Sequence, residues 1–255
     1  MDRTLRQSVE LFHLHFLRQL CSGPDRARFT LKGGCNLRFF FGSIRYSENM
    51  DLDVSVMTRT TLKNKVDRLL DSPALRLPLK SAGITLIEVT GPKQTETTQR
   101  WKMGLLVKGQ SAALRTKVEF SRRDADEGEV AAVEAMPAEL PREYGLPPPV
   151  VNHYLAIAAT TQKIRALIGR PQTQARDVFD LQLLRSKSKV FWSVDAALTA
   201  ELPTAIERVL SLSYDDYVSQ VVAYLAPEQL AASKDRQVWD AMQLEVVELL
   251  QGLRR

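Results

Sequence analysis

Residues 29–56 read FTLKGGCNLRFFFGSIRYSENMDLDVSV and place a glycine pair and two aspartates within one short segment. ARFTLKGG is typical of a short strand that ends at a glycine turn, and CNLRFFFG then predicts a short helix. DLDVSV alternates polar and apolar residues, which predicts a second strand. The segment therefore predicts the order strand, Gly-Gly turn, short helix, strand.

The second predicted strand orders the two aspartates. Successive side chains of a strand point to opposite faces, so Asp51, Asp53 and Ser55 share one face and the apolar residues between them share the other. The Cα atoms of the two aspartates would lie about 6.5 to 7 Å apart. Carboxylates at that spacing can hold one or two Mg²⁺ ions, which can bridge nucleotide phosphates. An Asp-x-Asp pair is also common on an ordinary solvated strand face.

The glycine pair precedes the predicted helix. Without side chains at Gly33 and Gly34, backbone N–H groups and a helix N-terminus can approach a phosphate chain. A Gly-Gly pair is also common in simple turns. The order of the four elements, more than either feature alone, indicates a phosphate site.

A third carboxylate occurs in RTKVEF at residues 115–120. By strand alternation, Lys117 and Glu119 share a face opposite Val118 and Phe120. An acid on an adjacent strand could complete the metal site. The alternative is a lysine and a glutamate of an edge strand in water, and the sequence leaves both open.

The rest of the N-terminal half predicts a mixed sheet with helices. A helix is predicted over residues 3–21, and TLKNKVDRLLDS predicts another, with Pro73 and Pro78 as stop signals. Three further strands are predicted at residues 84–90, 101–107 and 112–120.

From about residue 146, where the sequence reads LPPPVVNHYLAIAATTQKIRAL, the pattern predicts almost only helices. The proline run is a plausible domain boundary. The sequence thus predicts an α/β fold of α+β type, with a sheet-containing domain at residues 1–145 and a helical domain at residues 146–255.

A second group of charged residues lies in TQKIRALIGRPQTQARDVFDLQLL. Asp177 shares a helix face with two leucines, so its carboxylate points partly inward and needs a partner. Arg176 and Asp180 are spaced to pair with each other on the surface. Lys163 and Arg170 could instead reach a triphosphate. The spacing leaves these two interpretations open.

Composition is that of a soluble globular protein. The 255 residues are 44% hydrophobic and 25% charged, with a net charge of +5 and a pI near 9.2, which permits a polyanionic partner. No apolar run is long enough to span a bilayer, and a secretory signal pattern is absent, so we expect a cytoplasmic protein without a membrane partner. Cys21 and Cys35 have no metal or disulfide spacing and are expected to be buried thiols.

The quoted residues also carry a family resemblance. LKGGCNLRFFFGSIRYSENMDLDV resembles the LKGG, arginine, serine-glutamate and Asp-x-Asp signature of the AbiEii/AbiGii nucleotidyltransferase-like toxins, which include the MenT toxins. KIRAL followed by RDVFDL is similar to the downstream lysine and Arg-Asp-x-x-Asp-Leu motifs of that family. The match spans residues 5–185 in motif order. It implies a DNA polymerase β-like nucleotidyltransferase core with a helical C-terminal domain that contributes Lys163 and Asp177.

The resemblance also implies roles for individual residues. It makes Asp51, Asp53, Lys163 and Asp177 catalytic, and Asp51 and Asp53, with Glu119 as a possible third ligand, a site for Mg²⁺. The residues implied to bind the nucleotide are Lys32, Gly33, Gly34, Arg45, Ser47, Lys163 and Arg170. Asn49 departs from the family pattern, which often has an acid there. We favour Asp51 with Asp53 over Asn49 with Asp51 as the metal pair, because asparagine carries no charge.

The function implied is that of a toxin from a toxin–antitoxin or abortive-infection system. Such an enzyme moves a nucleotide from a nucleoside triphosphate to the 3′ acceptor end of tRNA and blocks translation, and a cognate antitoxin protein is expected. Two alternatives stay open: transfer to a protein or small-molecule hydroxyl, or a catalytically decayed module that binds antitoxin or RNA. The sequence does not specify the nucleotide, the acceptor, the antitoxin or the oligomeric state.

Overall fold

The computed structural model describes residues 4–122, 130–187 and 194–253. The chain divides into two compact units, the first of Met1–Phe40 and Tyr46–Tyr154 and the second of Phe41–Arg45 and Leu155–Arg255. This division differs from the expected boundary near residue 146. Residues after the proline run still belong to the sheet of the first unit, and a five-residue segment from the first half belongs to the second unit.

A mixed sheet forms the centre of the first unit. Its strands are β1 (Phe29–Lys32), β2 (Asn49–Val54), β3 (Ile84–Gln94), β4 (Thr98–Val107), β5 (Leu114–Ser121), β6 (Ala131–Ala135) and β7 (Val150–Tyr154). Within the described ranges they form one seven-stranded sheet in the order β3-β4-β5-β2-β1-β7-β6. β2 lies in the middle, antiparallel to β1 and parallel to β5.

The described α-helices of the first unit contribute apolar residues to one core with this sheet. They are α1 (Leu5–Leu20), α2 (Gly33–Phe40), α3 (Arg59–Asp71), α4 (Pro73–Ser81) and α5 (Glu139–Glu143). α1 contacts β4 and β5, α4 contacts β3, and α2 contacts β1 and β2. One continuous core joins Phe12 and Phe16 of α1 to Leu52, Trp101 and Phe120 of the sheet.

Six α-helices follow among the residues described in the second unit. They are α6 (Ala156–Gly169), α7 (Ala175–Lys187), α8 (Ala196–Leu210), α9 (Tyr214–Gln220), α10 (Pro227–Ser233) and α11 (Arg236–Gly252). A separate core is formed by their apolar faces, and Ile44 from the Phe41–Arg45 segment packs against it.

Most of the predicted elements are confirmed, including the order from β1 through α2 to β2. α1 fulfils the helix predicted over residues 3–21, of which residue 3 lies outside the described part. The helix predicted at TLKNKVDRLLDS ends at Asp71, before Pro73, as predicted. Both prolines nevertheless belong to the next helix, since Pro73 opens α4 and Pro78 lies inside it. Proline is tolerated at the first helical position, where its missing N–H would have no intrahelical partner.

Two strands were not predicted. β6 is too short for a clear period, and β7 reads VVNHY, an apolar run that periodicity alone cannot assign to strand or helix. β7 pairs parallel with β1 and antiparallel with β6. The expectation of almost only helices from residue 146 is therefore wrong for Val150–Tyr154.

Candidate active site

β2 places Asp51 and Asp53 on one face, as the alternation predicts. Met50, Leu52 and Val54 are buried in the core, whereas the two aspartates are half-buried on the opposite side. On that side β1 sets Lys32 opposite Asp51, and β5 sets Glu119 opposite Asp51. The two aspartates therefore lie between charged side chains from both neighbouring strands.

Gly33 lies against the first of these acids. Its backbone has φ +67°, and a Cβ built at this position would come within 3.3 Å of Asp51 Oδ2. Glycine adopts this conformation without the steric cost that other residues would incur. Gly33 and Gly34 are the first two residues of α2, so the Asp51 carboxylate lies at a helix N-terminus, whose partial positive charge favours an anion.

Asp53 has a cation and a hydroxyl as partners. Lys32 Nζ forms an ion pair with Asp53 Oδ1, and the phenol of Tyr154 donates a hydrogen bond of 2.8 Å to Asp53 Oδ2. Tyr154 ends β7, and its backbone oxygen accepts a hydrogen bond from Asn36 of α2. Sequence reasoning missed Tyr154, since no local pattern marks a tyrosine whose partner lies about 100 residues away in the chain.

Glu119 is held by two cations. Arg100 Nε donates to Glu119 Oε2, and Lys117 Nζ lies 3.7 Å from the same oxygen. Burial alone would raise the pKa of Glu119, but the hydrogen bond from Arg100 and the charges of Lys117 and Arg100 hold that pKa below its ordinary value. Glu119 is therefore an ion-paired carboxylate on an interior strand of the sheet. This excludes the alternative in which Lys117 and Glu119 lie on an edge strand in water.

Asn49 opens β2 two residues before Asp51. Its backbone oxygen accepts a hydrogen bond of 2.8 Å from the Ser47 hydroxyl and another of 3.2 Å from the Cys35 thiol. The predicted nucleotide ligand Ser47 thus closes the turn that leads into the aspartate strand. Both cysteines are buried thiols, as expected.

The carboxylates of Asp51 and Asp53 are of the kind that bind a hard divalent cation. Asp51 and Asp53 supply carboxylate oxygens, which Mg²⁺ prefers, and such sites commonly take their remaining ligands from water and substrate phosphates. Among the described residues there is no group of three or more His, Cys, Asp or Glu side chains arranged to hold a metal. The carboxylates of Asp51 and Asp53 therefore match the type of donor that Mg²⁺ prefers.

The second unit contains its own charged cluster, which involves Lys163, Asp177 and Asp180. Lys163 Nζ lies 3.0 Å from Asp177 Oδ1 and 2.6 Å from Asp180 Oδ2. Both aspartates are completely buried. Burial alone would lower the pKa of Lys163, but the two carboxylates raise it above its ordinary value, so the lysine is charged.

Two arginines complete the cluster. Arg45 donates to both oxygens of Asp180 at 3.3 Å, and Arg170 Nε lies 2.9 Å from Asp177 Oδ2. Neither of those last two atoms makes a hydrogen bond within the described chain, so this contact is electrostatic. Three cations face two carboxylates, which leaves the cluster with an excess positive charge.

The cluster corrects one interpretation of the sequence. Asp180 is buried against Lys163 and Arg45, so the alternative in which it pairs with Arg176 on the surface is wrong. Burial alone would raise the pKa of Asp180, but the charges of Lys163 and Arg45 hold it below its ordinary value. The inward orientation of Asp177 is as predicted.

A glycine helix start beside an Asp-x-Asp strand in a mixed sheet is the arrangement that the family resemblance leads us to expect of a nucleotidyltransferase. The sequence model of the family described as "Nucleotidyl transferase AbiEii toxin, Type IV TA system" matches residues 15–252. This match covers more than half of the chain. The chain therefore belongs to the AbiEii family of toxin nucleotidyltransferases.

Solved structures have the same fold. JHP933 from Helicobacter pylori is 20% identical, with a TM-score of 0.65, and the match covers 100% of this chain and 94% of that one. MenT4, the nucleotidyltransferase toxin Rv2826c from Mycobacterium tuberculosis H37Rv, is 19% identical, with a TM-score of 0.56 and coverages of 99% and 96%. No curated protein matches the chain. At these identities the likeness shows the fold, which confirms the α/β nucleotidyltransferase architecture.

Membership of this family implies a nucleoside triphosphate substrate and an antitoxin partner. In the three described ranges, no helix is long and apolar enough to cross a membrane.

Proposed function

We propose that this toxin is a Mg²⁺-dependent nucleotidyltransferase that moves a nucleotide from a nucleoside triphosphate to the 3′ hydroxyl of a tRNA acceptor end. The observation that carries the proposal is the contact between Gly33 and Asp51, with Asp53 on the same strand face. This contact places a helix N-terminus, which can bind a phosphate, beside a pair of carboxylates. A tRNA acceptor would place the activity in the cytoplasm.

The first unit supplies the parts that such a transfer needs. Asp51 and Asp53 would hold Mg²⁺, which supplies positive charge for the triphosphate and the developing transition state. Gly33 and Gly34 let the start of α2 approach the phosphates. The acceptor 3′ hydroxyl gives up its proton to solvent water as its oxygen forms a bond to the α-phosphorus. The bond between the α-phosphorus and the oxygen that bridges it to the β-phosphate breaks, and pyrophosphate leaves. Catalysis of this kind consists of positioning and charge neutralisation.

A groove on the sheet supports an RNA acceptor. It has a volume of ≈ 520 Å³ and borders Asn49, and its charged lining residues are Lys102, Arg115, Lys117, Glu48 and Glu88. Arg115 and Glu88 pair with each other. Lys117 is the register partner of Asn49 on β5, so the groove borders the aspartate strand. Lysines and arginines bind the phosphates of a nucleic acid without reading its sequence. The three cations exceed the two glutamates of the lining, so we propose that Lys102 and Lys117 contact the backbone of an acceptor strand here.

Roles in the second unit stay predictions. We propose that Lys163 and Asp177 are catalytic and that Lys163, Arg45 and Arg170 bind the triphosphate, which the excess positive charge of their cluster supports. In the first unit, Lys32 and Ser47 are proposed as further nucleotide ligands. Glu119 stays a predicted third metal ligand, and Arg100 and Lys117 pair with its carboxylate as Lys32 pairs with that of Asp53.

Labelled nucleotides test the proposal. The purified protein is incubated with each labelled NTP and Mg²⁺, and with total tRNA, protein or metabolites as acceptor. We expect label on tRNA, and sequencing of tRNA 3′ ends after expression without the neighbouring gene should show added nucleotides. Asp51→Ala should abolish both signals. Asp71→Ala, an exposed acid paired with Arg76 on α3 and α4, is the matched control and should leave both unchanged.

Three outcomes separate the alternatives. Label on protein or on a small molecule would replace the tRNA acceptor with another hydroxyl. Growth arrest that persists in Asp51→Ala without any labelled product would contradict an enzyme and favour a binding module. Growth arrest by the wild type without added tRNA nucleotides would contradict the tRNA acceptor.

A further inference from the structure

Lys32 is the cation that pairs with the second of the two aspartates on β2. Lys32 and Asp53 form an ion pair in which both side chains are largely buried, at 12% and 14% exposure. Lys32 lies opposite Asp51 on β1 and reaches diagonally to Asp53, so its ammonium lies on the face that carries both acids. Two half-buried carboxylates on one strand face repel each other, and a lysine in this position relieves that repulsion.

We propose that Lys32 is a positioning residue that neutralises Asp53 in the free protein and is displaced when the metal and the nucleotide bind. Metal and ammonium compete for the same carboxylate oxygens. Lysine is a point charge on a flexible four-carbon stem, so the released ammonium can turn to the incoming triphosphate. Binding of the nucleotide and binding of the metal then assist each other, because the nucleotide provides the new partner for Lys32.

Tyr154 keeps Asp53 in place during this exchange. Its phenol donates to Asp53 Oδ2, while Lys32 holds Oδ1. The hydrogen bond from Tyr154 does not depend on Lys32, so the carboxylate keeps its orientation when the ammonium leaves. Tyr154 is itself fixed, because its backbone oxygen accepts a hydrogen bond from Asn36 of α2. Tyr154 is therefore the second positioning residue.

This inference rests on the proposed function, and metal binding tests it without any turnover. Mn²⁺ affinity is measured by electron paramagnetic resonance on the full chain, with and without a non-hydrolysable NTP analogue. In the absence of nucleotide, Lys32→Met should bind Mn²⁺ about tenfold more tightly than the wild type. This estimate takes the effect of one nearby charge on proton binding to a carboxylate as its scale. The analogue should strengthen Mn²⁺ binding less in Lys32→Met than in the wild type.

Two further variants control for the substitution. Lys32→Arg keeps the charge and should keep the weak Mn²⁺ binding of the wild type. Lys63→Met removes an exposed lysine that pairs with Asp67 on α3, and it should leave Mn²⁺ affinity unchanged. Circular dichroism checks that each variant is folded, and Lys32→Gln replaces Lys32→Met if the latter is not.

Failure of the inference differs from failure of the proposed function. In one outcome, Asp51→Ala abolishes Mn²⁺ binding while Lys32→Met binds Mn²⁺ no more tightly than the wild type. That result would refute the displacement of Lys32 by the metal and would support the metal site at Asp51. If Asp51→Ala binds Mn²⁺ as the wild type does, the metal site itself is wrong. Tyr154→Phe should weaken Mn²⁺ binding severalfold, and an unchanged affinity would remove Tyr154 from the positioning role.

Discussion

Gly33 lies in direct contact with Asp51, since a Cβ at Gly33 would come within 3.3 Å of the Asp51 Oδ2 atom. Two features require glycine here. The backbone has φ +67°, which residues with a side chain rarely adopt, and the Asp51 carboxylate leaves little room for a Cβ. The start of α2 and the strand that carries Asp51 and Asp53 are thereby brought together without an intervening side chain.

Gly33→Ala should therefore impair both folding and catalysis. We expect a loss of about 1 to 3 kcal/mol in the free energy of unfolding from the strained backbone, and a large loss of nucleotide transfer because Asp51 must move. Gly109→Ala is the matched control, since Gly109 has φ +84° but no atom within 4 Å of its Cβ position. It should lose similar stability in urea unfolding while keeping activity. Equal activity losses in the two variants would contradict the contact with Asp51.

Glu119→Gln should lower stability in a pH-dependent way. The pKa of Glu119 in the folded protein lies below its ordinary value of 4.5. Its ion pairs therefore stabilise the folded protein at pH values above 4.5, and this stabilisation is lost as the pH falls through the lower pKa of the folded state. We expect the variant to be about 1 kcal/mol less stable at pH 7. Urea unfolding at pH 7 and near pH 3 measures the difference, which should shrink in acid. A constant difference would contradict the ion-pair role.

Asp180→Asn should destabilise the second unit strongly. It removes the carboxylate that pairs with Lys163 and Arg45 and leaves buried positive charge with less compensation, at a cost of about 3 to 5 kcal/mol. Asp240→Asn on α11, an exposed acid 3.9 Å from Arg236, is the control and should cost well under 1 kcal/mol. Urea unfolding followed by tryptophan fluorescence, to which Trp239 of the second core contributes, reports both effects. Equal effects would contradict the buried cluster.

His13 should make the protein sensitive to acid. Burial lowers the pKa of His13 to about 3, and its Nε2 lies 2.9 Å from Thr116 Oγ1, a hydroxyl that donates to Glu48 O. Nε2 therefore carries the proton, and the ring is neutral in the folded state. Because the unfolded chain takes up a proton near pH 6.5, stability should fall as pH falls below that value, by up to about 1.4 kcal/mol per pH unit.

His13→Gln tests this sign. Its side-chain amide can keep the hydrogen bond to Thr116 but has no proton to gain, so the variant should lose less stability between pH 6.5 and pH 4. Thermal unfolding of the two proteins across that range measures the slopes. Parallel slopes would show that His13 is not responsible for the acid sensitivity.

Much of the fold follows from local pattern. The alternation around Leu52 predicts the face that Asp51 and Asp53 share, and the Gly33 turn predicts a strand that changes to a helix. β7 could not be assigned in this way, because VVNHY follows a proline run and has no distinctive period. The residues of that strand, including Tyr154, enter the site only through parallel pairing with β1.

The sequence by itself determined the strand that bears the acids, the glycine turn before it and the motif order of the AbiEii family, since these depend on residues that are close along the chain. Tertiary structure alone decided which charges meet: Lys32 with Asp53, Arg100 with Glu119, and Arg45 with Asp180. These partners are 19 to 135 residues apart. Strand register and helix packing bring them together, and neither can be read from the local period of a single element.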